Sequence, residues 1–174
     1  MPDTFIKIAS VTVGAGGASS IAFTSIPSTY TDLCVKLSLR SSRSANQDDY
    51  NVAINGSSSS FTYRQLYGGA GSGSIVTGSA SGTTGFIGIM PAANNTASTF
   101  SSQEFYLPNY AGSTNKSLSI DSAAENNAAT HWQLDLLAEL WSNTSAITSL
   151  TFTSNTSSNF VQYSTATLYG IKNS

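Results

Sequence analysis

Between Leu33 and Leu39 the chain places an aliphatic residue at every second position (Leu33, Val35, Leu37 and Leu39), interleaved with Asp32, Cys34, Lys36, Ser38 and Arg40. A period of two belongs to a strand, because successive Cβ atoms point to opposite faces of the pleat. The same beat recurs along most of the chain and restricts it to sheets. Ile6, Ile8, Val11 and Val13 come first, residues 14–17 form a turn, and Ile21 with Phe23 begins a short strand ended by Pro27. Tyr50, Val52 and Ile54 lead to Asn55-Gly56, a dipeptide at ease with positive φ and suited to a tight hairpin turn. Further strands are expected at 61–67, 86–90, 100–107, 116–121, 147–152 and 160–171, the last with Val161, Tyr163, Thr165, Thr167, Tyr169 and Ile171 on one face.

Two segments read less simply. Residues 68–85 are rich in Gly, Ser and Thr, interrupted by Ile75 and Val76, and suit a long loop or a weakly packed hairpin. In 131–141, Trp132, Leu134, Leu136, Ala138 and Leu140 alternate as in a strand, whereas Trp132, Leu136, Leu137, Leu140 and Trp141 would line a helix. The β context of the rest favours the strand. Eight to ten strands in one small chain imply an all-β, two-sheet antiparallel sandwich. No linker and no fixed-period repeat divides the sequence, so residues 1–174 read as one domain, with 57–60, 68–85 and 154–159 as loops at its ends.

Composition narrows the function. Thirty-two serines and twenty threonines accompany only sixteen charged residues. Small hydroxyls suit strand faces and turns, and low charge suits a protein crowded beside copies of itself. A hydrophobic fraction of 40% supports a folded core. A net charge of −2, with three arginines and four lysines scattered, does not fit a nucleic-acid partner. Cys34 is the single cysteine, so no internal disulfide forms, and its place in an apolar alternation suits a small core residue. The start, MPDTFIKIAS, has no basic run followed by an apolar stretch, and no long apolar run occurs elsewhere, so synthesis in the cytoplasm and no membrane insertion are expected. Sequons at Asn55, Asn94, Asn115, Asn143 and Asn155 are what chance yields in a chain so rich in Asn, Ser and Thr.

The residues offer little chemistry. His131 is the sole histidine, short of the ligand set zinc requires, and no G-x-S-x-G accompanies it for nucleophilic catalysis. A glycosidase needs two carboxylates about 5–9.5 Å apart. Asp121 with Glu125 is unpersuasive, and Asp135 with Glu139 lies ~13 Å apart on one extended face. Asp48-Asp49 with Asn46 is the one candidate for structural calcium, though without EF-hand spacing, and otherwise reads as a solvated loop. Gly68, Gly69, Gly71 and Gly73 lack the following Lys-Ser/Thr of a phosphate cradle. No catalytic, cofactor-binding or metal-binding residue is assigned.

The segments 4–44, 105–126 and 140–174, and above all SIPSTYTDL, LPNYAG and STATLYGIK, resemble a family of virion structural proteins of tailed phages, especially marine and cyanobacterial ones. That resemblance spans nearly the whole chain. It implies a jelly-roll-like sandwich on a capsid or tail surface, with other virion proteins as partners and no catalytic residue. A capsid decoration or cement protein docking as a homo-oligomer, such as a trimer, is the leading expectation. A tail-fibre or receptor-binding domain contacting host glycans is the alternative, and a glycan-active enzyme the weaker one. Aromatic and arginine residues in or beside loops are the candidate contacts: Tyr30, Arg40, Arg43, Tyr63, Arg64, Tyr67, Tyr106, Tyr110 and Tyr163.

Overall fold

The computed structural model describes residues 4–69, 75–83, 85–125 and 133–172. Among them, twelve strands form: β1 (Phe5–Thr12), β2 (Ser20–Phe23), β3 (Asp32–Ser38), β4 (Gln47–Ile54), β5 (Phe61–Gly69), β6 (Val76–Thr83), β7 (Gly85–Pro91), β8 (Ser102–Leu107), β9 (Lys116–Ala124), β10 (Gln133–Trp141), β11 (Leu150–Ser154) and β12 (Thr165–Ile171). They build an eight-stranded sheet, β1-β12-β3-β8-β9-β10-β5-β6, and a four-stranded sheet, β2-β11-β4-β7.

The pairing is nested. β1 pairs with β12, β2 with β11, β3 with β8 and β4 with β7, all antiparallel. Successive outer strands alternate between sheets, as when one long two-stranded ribbon is wound around a core. This is a jelly-roll sandwich. The remaining strands, β5, β6, β9 and β10, enter as two insertions and add to the large sheet beyond β8, forming a wing in the order β9-β10-β5-β6. Strand β7, at the edge of the small sheet, lies over β9, β10 and β5.

Sequence accounts for most of these elements locally. In β1, Lys7 pairs with Tyr169 and Ala9 with Leu168, so Ile8 is an extra, bulged residue. The bulge resets the alternation and lets Ile6 and Ile8 share an inward face with Val11. The ambiguous segment forms β10, a strand whose odd-numbered residues face inward; His131 and Trp132 lie outside the described residues. Within 68–85, Val76–Thr83 is a strand that pairs with β5, which makes the weakly packed hairpin and raises the strand number above eight to ten. Asn55 and Gly56 adopt φ of 52° and 76° and reverse the chain. They close only the Ile54–Ser57 bridge, because β5 then crosses to the large sheet instead of pairing with β4. The last strand begins at Thr165 and not at Phe160, since Tyr163 has a φ of 73° in a turn. Its Thr165, Thr167 and Tyr169 face is the outer one, while Ala166 and Leu168 enter the core.

Leu33, Val35 and Leu37 meet Phe105, Leu107 and Leu168 from the large sheet and Val52, Leu150 and Phe152 from the small one. Phe152 stands edge-on to Phe105 at 6.0 Å and to Phe23 at 6.4 Å. At the wing's inner end Phe61 stacks on Trp141 at 6.4 Å. Each such side chain contributes roughly 1.5–3 kcal/mol by leaving water. The opposite face of β3 is less open than its alternation suggests. Cys34 is fully buried, with Tyr106 and Tyr169 as its cross-strand neighbours, and burial pushes its thiol pKa up.

Candidate binding cleft

The nine aromatic and arginine candidates separate sharply. Arg40 is buried, and its guanidinium donates to the carbonyls of Asn95, Thr96 and Thr99 at 3.1, 2.7 and 3.0 Å, so it secures a loop and is not a free contact. Tyr110 is also buried and donates its hydroxyl to the Pro27 carbonyl. Both corrections have one cause: a loop whose carbonyls turn inward recruits a long donor to satisfy them. Tyr106 donates to the Asp32 carboxylate at 2.7 Å, and Tyr30 packs against the core. Arg43 is half-buried, donates to the Gln47 carbonyl and lies 3.6 Å from Asp48. Arg64 is exposed and donates to the Tyr63 carbonyl. Tyr163 is 68% exposed. Tyr63 and Tyr67 share one face of β5 and line a common cleft, and Arg40 and Tyr163 line another depression.

The segments SIPSTYTDL, LPNYAG and STATLYGIK meet at one end of the sandwich. Tyr30 of SIPSTYTDL covers Gly170 of STATLYGIK, with the Lys172 ammonium 5.7 Å from its ring centre. The Thr31 amide donates to the Ile171 carbonyl at 2.8 Å. Asp32 accepts the Asn109 amide of LPNYAG at 2.8 Å. These contacts brace the fold and bring no reactive group together.

Asp48 is not in a solvated loop. It sits on β4, fully buried, and accepts the hydroxyls of Ser41 at 2.6 Å, Ser154 at 2.7 Å and Thr156 at 3.0 Å, with Arg43 beside it. Donors saturate this carboxylate, which is the opposite of what a calcium shell of oxygen acceptors would look like. Among the described residues, no group of three or more His, Cys, Asp and Glu could hold a metal ion. Asp121 and Glu125 are exposed, whereas Asp135 and Glu139 are buried on the inner face of β10.

The four-stranded sheet does not cover the whole eight-stranded one, and the inner face of the wing changes character along its length. Near Trp141 it is apolar; near Gln133 it is polar. There a cleft of about 580 Å³ opens between the wing and the small sheet. Gln47, Asp49 and Asn51 of β4, with Ile89 and Asn155, form one wall. Tyr63, Gln65 and Tyr67 of β5, residues 78–80 of β6 and Gln133 form the other. The wing's polar end is held by Asp135, whose Oδ1 accepts the Gln65 amide at 2.6 Å and the Gln133 amide at 2.8 Å. Its Oδ2 is buried and takes no hydrogen bond, as does Gln47 Oε1. Burial raises the Asp135 pKa against the lowering pull of the two amides. Asp49 is raised too, first by burial and then by its neighbour Asp48, with Arg43 opposing.

The sequence did not single out Asn51, Gln65 or Gln133, and it offered Asp49 only beside Asp48 as a calcium candidate and Asn155 only as a chance sequon. A signal existed in β10, where Gln133, Asp135 and Glu139 fall in phase with Leu137 and Trp141, so polar residues interrupt an otherwise inward apolar face. No protein-family model, curated protein or solved structure matches this chain. Topology and geometry therefore define its class: a jelly-roll sandwich with an appended wing and a polar cleft.

Proposed function

We propose that this chain is a noncatalytic structural protein of a tailed-phage virion, a decoration or cement subunit that docks on the shell surface as an oligomer. The observation that carries this reading lies on the outer face of the wing. Leu66, Leu134 and Leu136 are 48%, 59% and 52% exposed, and Leu66 and Leu136 are direct cross-strand partners. Ala138 and Thr77 extend the patch around a shallow depression of about 300 Å³. Contiguous leucines on an outer sheet face are a liability for a solitary protein and an asset for one that packs beside copies of itself. A second copy of the chain is the occupant this reading assigns. The chain's net charge of only −2 limits repulsion between copies. Weak contacts repeated over a symmetric shell would supply the affinity.

The test is to add the purified protein to shells lacking it. Binding in hundreds of copies per particle, with greater resistance to heat or osmotic shock, is the expected result. Localisation to the tail alone, in a few copies, would overturn the shell assignment.

A further inference from the structure

We infer that the cleft between the wing and β4 binds a neutral saccharide. This goes beyond the structural role and stands whether the subunit sits on a shell or a tail. Gln47, Asn51, Gln65, Gln133 and Asn155 bring five side-chain amides into one concavity with the Asp49 carboxylate. Gln65 and Gln133 each spend one N–H on Asp135 Oδ1, and Asn51 spends one on Asn155 Oδ1 at 2.9 Å, so the second N–H and the remaining oxygen lone pairs of these amides are what match the paired hydroxyls of a sugar ring. Asp49 adds a strong acceptor for two more. Tyr63 and Tyr67 lie on the cleft side of β5 with Gln65 between them. They supply the apolar surface that the C–H face of a pyranose covers, with phenol groups at its rim.

The same inventory argues against other ligands. Among the described residues lining the cleft there is no Lys or Arg, and the Asp49 carboxylate there repels anions, which disfavours phosphate and sulfate. An apolar ligand would strip water from the amides and return no hydrogen bond. A divalent cation would find a single carboxylate on the walls, that of Asp49. The buried acceptor Gln47 Oε1, which has no hydrogen bond, belongs to a lining residue and is the kind of group a ligand hydroxyl would satisfy. A volume of about 580 Å³ leaves room for a short oligosaccharide and lies within the roughly 300–1,000 Å³ of small-molecule sites.

The test uses the full chain and two sets of probes, followed by calorimetry and by amide-resonance shifts. One set is glucose, galactose, mannose, N-acetylglucosamine and their short oligomers; the other is delipidated bacterial surface polysaccharide, which separates free sugars from cell-surface ones. At least one probe should bind and shift resonances of the cleft residues. Tyr67→Ala and Asn51→Ala should each weaken that binding by about tenfold or more, whereas Tyr163→Ala, far from the cleft lining, should leave it unchanged. Asn51 is half-buried on an outward strand position, so its variant keeps the test meaningful where Tyr67→Ala unfolds the wing. Absence of binding by every probe at millimolar concentration would overturn the assignment. So would equal binding by both cleft variants, or tighter binding of inorganic phosphate or calcium at the same residues.

Discussion

Tyr30 lies over Gly170 so closely that its ring fills the space where any other residue would place a Cβ. One residue comes from the loop before β3 and the other from β12, the strand that pairs with β3, so this contact locks the β2–β3 loop onto the last strand. A large aromatic ring in a glycine notch is a packing solution that neither residue announces alone.

Gly170→Ala should therefore destabilise the protein by about 1–3 kcal/mol, the usual cost of overpacking. Tyr30→Ala should also destabilise it by lost packing. The double variant should be less damaged than the sum of the two, because removing the ring makes room for the methyl. Urea melts of the four proteins measure the coupling; strict additivity would show that the ring moves aside freely.

Asp48 organises three hydroxyls from separate segments. Asp48→Ala should cost about 2–4 kcal/mol, since hydrogen bonds to a charged group are worth roughly 1.5–3 kcal/mol and Ser41 and Ser154 would keep buried hydroxyls without an acceptor. Addition of calcium should not stabilise the wild-type protein, because the carboxylate is already saturated by donors. A calcium-dependent rise in melting temperature, abolished by Asp48→Ala, would contradict this arrangement.

Asp135 makes stability fall as pH rises. Its folded-state pKa is raised by burial above the ordinary carboxylate value. Below the unfolded-state pKa both states hold the proton and nothing is lost. Between the two values the unfolded chain has released its proton while the native protein retains it, so stability declines, and the full penalty is present above the folded pKa. Asp135→Asn removes that titration and still accepts the Gln65 and Gln133 amides. Its stability relative to wild type should increase from about pH 3 to about pH 7 in denaturant melts. A difference that is constant with pH would sink this account.

The leucines outside the wing make a separate prediction. On the proposed self-assembly, wild-type protein should oligomerise in light-scattering measurements and Leu136→Lys should be monomeric, with little loss of fold stability, because the residue is 52% exposed and on the surface of β10. Wild-type protein that is monomeric at high concentration would remove the main support for self-assembly through this face.

Leu33–Leu39 and the odd positions of 133–141 show how much was legible from the chain. Alternation revealed the strands, because side-chain period is a local consequence of the pleat, and at Leu33–Leu39 the inward face as well; in β10 the even-numbered apolar set that the sequence offered turns outward and the odd-numbered residues face the core. Asn55-Gly56 gave the turn but not the partner of the strand after it. Cys34 was readable as buried, yet nothing in its neighbourhood pointed to Tyr106 and Tyr169 as its flanking residues. Of the cleft, Tyr63 and Tyr67 were visible as aromatic candidates. Asn51, Gln65 and Gln133 were not, since each is an ordinary polar residue in an ordinary alternation, and Asp49 was visible only as half of a calcium candidate. Arg40 and Tyr110 looked available because polar tips suggest exposure; their burial depended on carbonyls in distant loops.

By itself, then, the order of residues determined that this protein is made of antiparallel strands, which face of most strands is apolar, and where the chain turns. Tertiary structure alone decided that the ribbon winds into a jelly roll, that two insertions extend one sheet beyond the cover of the other, and that a polar cleft opens there. The reason is one of range. Pleat and turn preferences act over a few residues, whereas the partner of each strand is chosen by burial that sums over the whole core.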